Sequence, residues 1–237
     1  FVTFVEEAVA TIKHRSRSPH LPEGLGITLC VGEQSRETYR RFRMAGAHRY
    51  LLRIETTNPV LFRRIHPPPQ DFQARVECLR ILQEEGFQVG TGVMIGLPGQ
   101  SVEDLARDIE FFRRMDVDMI GMGPYLVHHQ TPMAVHAPDI EARHEEILRR
   151  SLLMIAVTRL CLRGVNIAAT TALQASDPLG REKGLQFGAN IIMPQVTPVR
   201  VRTEYLLYDG KPCLDESAQQ CRSCLERRIT SVGRTVG

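Results

Sequence analysis

Short β-branched apolar runs alternate with amphipathic segments through most of this chain, and that alternation is its strongest structural signal. Apolar stretches predict strands over Gly26–Val31, Arg49–Ile54, Gln88–Ile95, Asp118–Gly121, Val165–Thr170 and Ala189–Met193. Helical periodicity fills Ser35–Ala45, Phe72–Glu85, Val102–Met115 and Glu141–Arg163, and Phe1–Lys13 reads as a helix already under way. Two of these helices carry start signals: Ser101 precedes Val102-Glu103-Asp104, and Ser35 precedes Glu37.

Strands separated by helices pair in parallel through right-handed crossovers. Six strand–helix units and a leading helix predict an α/β fold of (β/α)8 TIM-barrel type, partial here, over residues 1–196. Two units are expected to be missing from the front. From Thr197 the alternation stops, which predicts an irregular C-terminal tail over 197–237 that closes the barrel. The alternative, an open doubly wound sheet, would announce its ligand site with a G-x-G-x-x-G turn after the first strand, and the sequence has none.

Composition narrows the class without choosing a function. With 43% apolar and 24% charged residues, the 237-residue chain falls in the globular range. Thirty Lys+Arg against 27 Asp+Glu leave a net charge of +3, too small to predict a nucleic-acid or membrane-surface partner. Arg36, Arg40, Arg41 and Arg43 are expected to form the solvated face of a helix. No apolar run reaches the roughly 18 residues of a membrane span. Six cysteines, three scattered and three clustered near the end, suit a reducing cytoplasmic setting with metal binding at the cluster.

One strand is unusual. In Arg49-Tyr50-Leu51-Leu52-Arg53-Ile54-Glu55, alternation puts Tyr50, Leu52 and Ile54 on one face and Arg49, Leu51, Arg53 and Glu55 on the other. The apolar set suits packing under helices, so the charged set points toward the barrel interior or its mouth. Charges there must be paired or liganded. Either an Arg–Glu structural pair or a polar ligand pocket satisfies that demand. Gly90–Gln100 and Gly121–Leu126 add glycine-rich strand ends where a flat ligand could approach the backbone, and Thr170 and Thr171 add hydroxyls. Packing alone would also explain the glycines. In the tail, Cys213-x7-Cys221-x2-Cys224 suits an iron–sulfur cluster with one exchangeable iron, or zinc with a fourth ligand from elsewhere.

Several stretches resemble the radical S-adenosylmethionine (SAM) enzymes of the biotin synthase-like group, and within it the HydE family of [FeFe]-hydrogenase maturases. They are Ala47–Leu61, Ile95–Gln100, Gly121–Tyr125 with Thr131-Pro132, Ala169–Ala172, Gly188–Pro194 and the cysteine tail. The resemblance covers nearly the whole chain in order. The Gly-Leu-Pro-Gly-Gln turn is only moderately specific, whereas Arg53-x-Glu55-Thr56-x-Asn58-Pro59 combined with the tail is much more so.

The resemblance implies a chemistry and a set of roles. A [4Fe–4S] cluster held by a C-x-x-x-C-x-x-C motif reduces SAM to methionine and a 5′-deoxyadenosyl radical, which attacks a small organometallic or cysteine-derived substrate in the barrel. The product serves assembly of the hydrogenase diiron site, alongside other hydrogenase maturation proteins. Glu55 is implied to hold the SAM ribose, Arg75 the SAM carboxylate, and Pro124, Tyr125 and Leu126 the adenine. Thr28, Arg49, Arg53, Met119, Thr170 and Thr171 would line the substrate cavity, with Tyr205 and Tyr208 near its bottom. Cys213, Cys221 and Cys224 match the ligands of an accessory iron–sulfur cluster.

One departure stands out: no C-x-x-x-C-x-x-C occurs in these 237 residues. The expectation is an N-terminally truncated chain that cannot cleave SAM alone. Competing readings are another biotin synthase-like enzyme, such as a methylornithine synthase, and a non-catalytic metal-binding barrel.

Overall fold

The computed structural model of the protein describes residues 1–236, apart from the Tyr205 side chain. Five strands form one parallel sheet in chain order: β1 (Thr28–Leu29), β2 (Arg49–Leu51), β3 (Gln88–Ile95), β4 (Met119–Pro124) and β5 (Asn166–Ala169). Helices α1 (Val2–Arg15), α2 (Arg36–Met44), α3 (Pro59–Ile65), α4 (Phe72–Glu84) and α5 (Val102–Arg114) alternate with the first four strands. Then come α6 (Ala137–Ala142), α7 (His144–Cys161), α8 (Thr171–Ser176), α9 (Gly180–Gln186) and α10 (Ala218–Ser231). This is the partial TIM-barrel architecture that the alternation predicts.

The outer face of β2 follows the predicted alternation. Tyr50, Leu52 and Ile54 are buried and join Leu79 and Leu82 of α4 in a core that also takes Val89 and Val93 of β3. Tyr50 packs edge-on against Tyr39 and Phe87, and its hydroxyl donates to Gly32 O at 2.7 Å. The α2 arginines are more than a solvated face: Arg36 and Arg40 pair with Glu85, and Arg41 pairs with Glu6 of α1.

Three expectations change. The sixth strand, Ala189–Met193, shrinks to a single parallel bridge between Ile191 and Ala168, and Pro194, which has no N–H to donate, follows the run. Helices α3, α8 and α9 are too short for a periodicity signal. The tail is less irregular than predicted: Ser217 opens α10 with a capping box to Gln220, and 14 helical residues carry Cys221 and Cys224.

Candidate functional site

The site begins with an interruption of β2. Leu52 N donates to Gly90 O and Glu55 N to Gly92 O, both at 2.9 Å, so three steps along β2 oppose two along β3. An extra residue unpairs backbone groups, and side chains take them up. The buried Thr91 hydroxyl donates to Leu52 O at 2.9 Å and accepts from Ile54 N at 3.2 Å. Arg75 Nη1 donates to the Arg53 carbonyl at 2.6 Å. Glu55 leaves the interruption at φ 63°, a left-handed conformation that costs a residue with a Cβ roughly 1–2 kcal/mol.

The next four residues clamp that strained turn. Thr57 donates to Asp108 Oδ1 twice, from N at 2.8 Å and from Oγ1 at 2.6 Å. Asn58 Nδ2 donates to Asp104 Oδ1 at 3.0 Å, while Asn58 Oδ1 caps α3 by accepting from Val60 N and Leu61 N. Pro59 then fills the first helical position. Burial pushes the Asp108 carboxyl up to about 6, although both Thr57 bonds act to lower it. The Gly-Leu-Pro-Gly-Gln turn is closed by Gln100, which accepts from Gly96 N at 2.8 Å and donates to Met94 O at 2.9 Å. Gly96 has φ 95°, and a Cβ there would lie 2.7 Å from Ile147.

Beside Glu55 opens a cavity of about 400 Å³, within the size range of small-molecule sites. Arg53 and Glu55 line it, and so do Pro124, Tyr125 and Leu126 at the end of β4. Thr170, Thr171 and Tyr208 complete its far side. Arg53 Nε bonds both Glu55 oxygens, at 2.9 and 3.1 Å, and Nη2 donates to Val93 O at 3.0 Å. The pair and the pocket therefore coexist: an ion pair forms one wall. A Cβ on Gly121 would come within 3.3 Å of Arg53 Nη1, and one on Gly123 within 2.6 Å of Thr170 Oγ1. Burial raises the pKa of both Tyr125 and Tyr208.

The tail supplies the last wall. Tyr208 Oη donates to Thr171 Oγ1 at 2.8 Å, and Asp209 accepts from His129 N at 3.1 Å. His129 Nδ1 lies 2.8 Å from Asp209 Oδ1, so the tail at Tyr208-Asp209 is tied to the loop after β4 and to the start of α8.

Four predicted residues lie away from the cavity. Thr28 and Arg49 are paired in register at the opposite end of the sheet, and Arg49 Nε donates to Gln88 Oε1 at 2.6 Å. At about 3.3 Å per residue, Arg49 lies roughly 20 Å along the strand from Glu55. Met119 fills space over Gly90 beside Leu51. Arg75 is buried behind the strand, paired with Glu33, bonded to Gln70 Oε1 at 3.2 Å and stacked over Phe62. The predicted Tyr205 side chain lies outside the described residues.

Sequence reasoning missed Arg181. It is only 2% exposed, lines the cavity, and its Nε and Nη1 have no hydrogen-bond partner. Burial lowers its pKa. The available signal was the Gly180/Gly184 pair around it: a Cβ at Gly180 would lie 1.9 Å from Leu173 O, so this face of α9 is pressed into the fold.

In the tail, ligand atoms of Cys213, Glu216 and Cys221 all lie within 4.8 Å of one another. Cys221 Sγ accepts from Gln195 N at 3.2 Å, and buried Arg202 holds the loop by donating to Cys213 O and Glu216 O. Burial pushes the Cys213 thiol up, and Glu216 adds to the shift. Glu216 Oε2 is buried without a partner. This arrangement differs from the predicted three-cysteine set, because α10 turns Cys224 toward Arg228 instead. Two thiolates and a carboxylate suit zinc or iron. The cysteines present do not fit the radical-generating cluster, since none has its spacing.

Residues 2–112 match the family model described as the Radical SAM superfamily. Residues 2–112 thus carry a radical SAM domain. Such a domain implies SAM and a [4Fe–4S] cluster as its cofactors. This chain is 44% identical over 214 residues to the [FeFe] hydrogenase maturase subunit HydE of Thermotoga maritima, covering 90% of this chain and 59% of that protein. It is 27% identical over 204 residues to a 3-methylornithine synthase of Methanosarcina barkeri, covering 86% of this chain and 55% of that protein. The chain thus spans somewhat more than half the length of these relatives. The solved structure of methylornithine synthase (PylB) superposes with a TM-score of 0.74 at 22% identity, over 99% of this chain and 63% of that one, which shows the shared fold. Among the described residues, no helix is long and apolar enough to cross a membrane.

Proposed function

We propose that this chain forms the SAM- and substrate-binding part of a HydE-type radical SAM maturase that acts in the cytoplasm on assembly of the [FeFe]-hydrogenase diiron site. The observation that carries the reading is the Glu55 carboxylate, held in a strained, clamped backbone at the wall of the cavity beside Pro124–Leu126. Ribose hydroxyls need an acceptor, and Glu55 offers one; the Pro124–Leu126 backbone offers a flat edge for adenine.

Glu55 and Pro124–Leu126 would hold SAM, which would supply radical chemistry in the full-length enzyme. This chain's residues bind and orient. Arg53 fixes the Glu55 carboxylate, while Thr170 and Thr171 present hydroxyls to a small organometallic or cysteine-derived substrate. Arg75 supports Glu55 from behind the strand through the Arg53 carbonyl. Tyr208 closes the cavity. Cys213 and Cys221 would hold an accessory metal centre together with Glu216, with other maturation proteins as partners.

Similarity to 3-methylornithine synthase favours a second reading, an amino-acid isomerase on the same fold. A maturation assay with the full-length protein separates the two. Activation of apo-hydrogenase supports the maturase, turnover of free lysine supports the synthase, and failure of this chain to bind SAM contradicts both.

A further inference from the structure

Two arginines, Arg53 and Arg181, line the cavity, and a third, Arg75, lies behind its wall. Arg53 pairs with Glu55, and Arg75 pairs with Glu33 behind the strand. Arg181 differs: among the described residues, no ion pair reaches it and two of its nitrogens have no acceptor. The acidic residue beside it, Glu182, is taken by Arg228, whose Nη1 donates to Glu182 Oε1 and Oε2 at 2.7 and 2.8 Å. Its other charged or titratable neighbours are Cys213, Cys221, Tyr208 and Arg228. None of these is a carboxylate, and none accepts a hydrogen bond from Arg181 Nε or Nη1. The fold holds a buried, unpaired cation at a loss unless an anion arrives.

We propose that Arg181 is the carboxylate anchor of the cavity, receiving the carboxylate of an amino-acid-derived molecule beside Thr171 and Tyr208. The guanidinium fork matches a carboxylate in shape and charge. Thr171 Oγ1 already accepts from Tyr208 Oη, which leaves the Thr171 hydroxyl hydrogen available to a carboxylate oxygen. The proposal deepens the reading of this cavity as the SAM and substrate chamber and rests on it. Two molecules carry the required group: SAM, through its methionine moiety, and a cysteine-derived substrate.

The test titrates this chain with S-methyl-L-cysteine, with its methyl ester and with SAM, in wild type, Arg181→Met and Arg181→Lys. The acid should bind, and the ester should bind roughly tenfold or more weaker, as loss of a charged hydrogen bond requires. Arg181→Met should weaken the anchored acid by a similar factor, and Arg181→Lys should retain part of the binding. Arg181→Met should also melt no lower than wild type, because it removes an uncompensated buried charge. Weakening confined to S-methyl-L-cysteine assigns the anchor to the second substrate; weakening confined to SAM assigns it to SAM. Equal binding of acid and ester, or unchanged binding of both acids by Arg181→Met, overturns the proposal. Loss of SAM binding in wild type with S-methyl-L-cysteine binding intact contradicts the SAM reading but leaves the anchor standing.

Discussion

Arg53 and Glu55 are two positions apart on one strand, yet Arg53 Nε reaches both Glu55 oxygens, at 2.9 and 3.1 Å, on the wall of a cavity. Ordinary strand geometry already puts them on one face. The interruption of β2 adds a residue there, and Glu55 turns into the left-handed region at φ 63°. Both side chains remain partly exposed, at 29% and 20%, so the pair itself adds little stability.

Strain at Glu55 predicts a divergence between two substitutions that remove the same carboxylate. Glu55→Gly relieves the backbone, whereas Glu55→Ala keeps it strained. The glycine variant should be more stable than the alanine variant by about 1 kcal/mol, read from urea melts. Equal stabilities would mean that the turn carries no such strain.

Asp108 predicts a pH dependence. Its pKa is raised in the fold, so the protonated form is the one the fold favours. Its favourable contribution is complete below pH 4 and is lost as pH rises through about 6. A shift of this size corresponds to a loss on the order of 3 kcal/mol. Asp108→Asn should remove that slope, so its melting temperature relative to wild type should rise as pH moves from 5 to 8. A constant difference across that range would contradict the burial of an unpaired Asp108 oxygen.

The tail geometry predicts which side chains hold a metal first. With Co²⁺ as probe, Cys213→Ser and Glu216→Gln should each lower affinity roughly tenfold or more, while Cys224→Ser should have a smaller effect. Equal losses at Cys213 and Cys224, with none at Glu216, would restore the three-cysteine set.

Gln100 predicts a local structural effect. Its side-chain amide makes both bonds across the Gly96–Gly99 turn, at 2.8 and 2.9 Å. Gln100→Leu leaves Gly96 N and Met94 O without those partners and should cost about 1–3 kcal/mol in denaturant melts. A smaller loss would mean that water replaces the amide there.

Much of the barrel was legible because its strands are continuous apolar runs and its longer helices have clear periodicity. Gln88–Ile95 matches β3 residue for residue. The charged face of β2 was legible for the same reason, since alternation alone places Arg53 with Glu55. What alternation cannot show is an interruption, because the extra residue is recognised only against its neighbour β3. Arg75 therefore read as a ligand-binding guanidinium, whereas its partners are Glu33 and a carbonyl freed by that interruption. Arg181 escaped because a seven-residue helix carries too little periodicity to reveal which side is buried. Cys224 stands apart from the close Cys213–Glu216–Cys221 group because α10 sets its direction, which spacing in an irregular tail does not reveal.

Equilibrium dialysis of this chain with radiolabelled SAM, comparing wild type with Glu55→Gly, tests the central claim most directly. Saturable binding at one site, weakened by roughly tenfold to a hundredfold in Glu55→Gly with the fold intact, is the predicted result. Equal SAM affinity in the two proteins would contradict it.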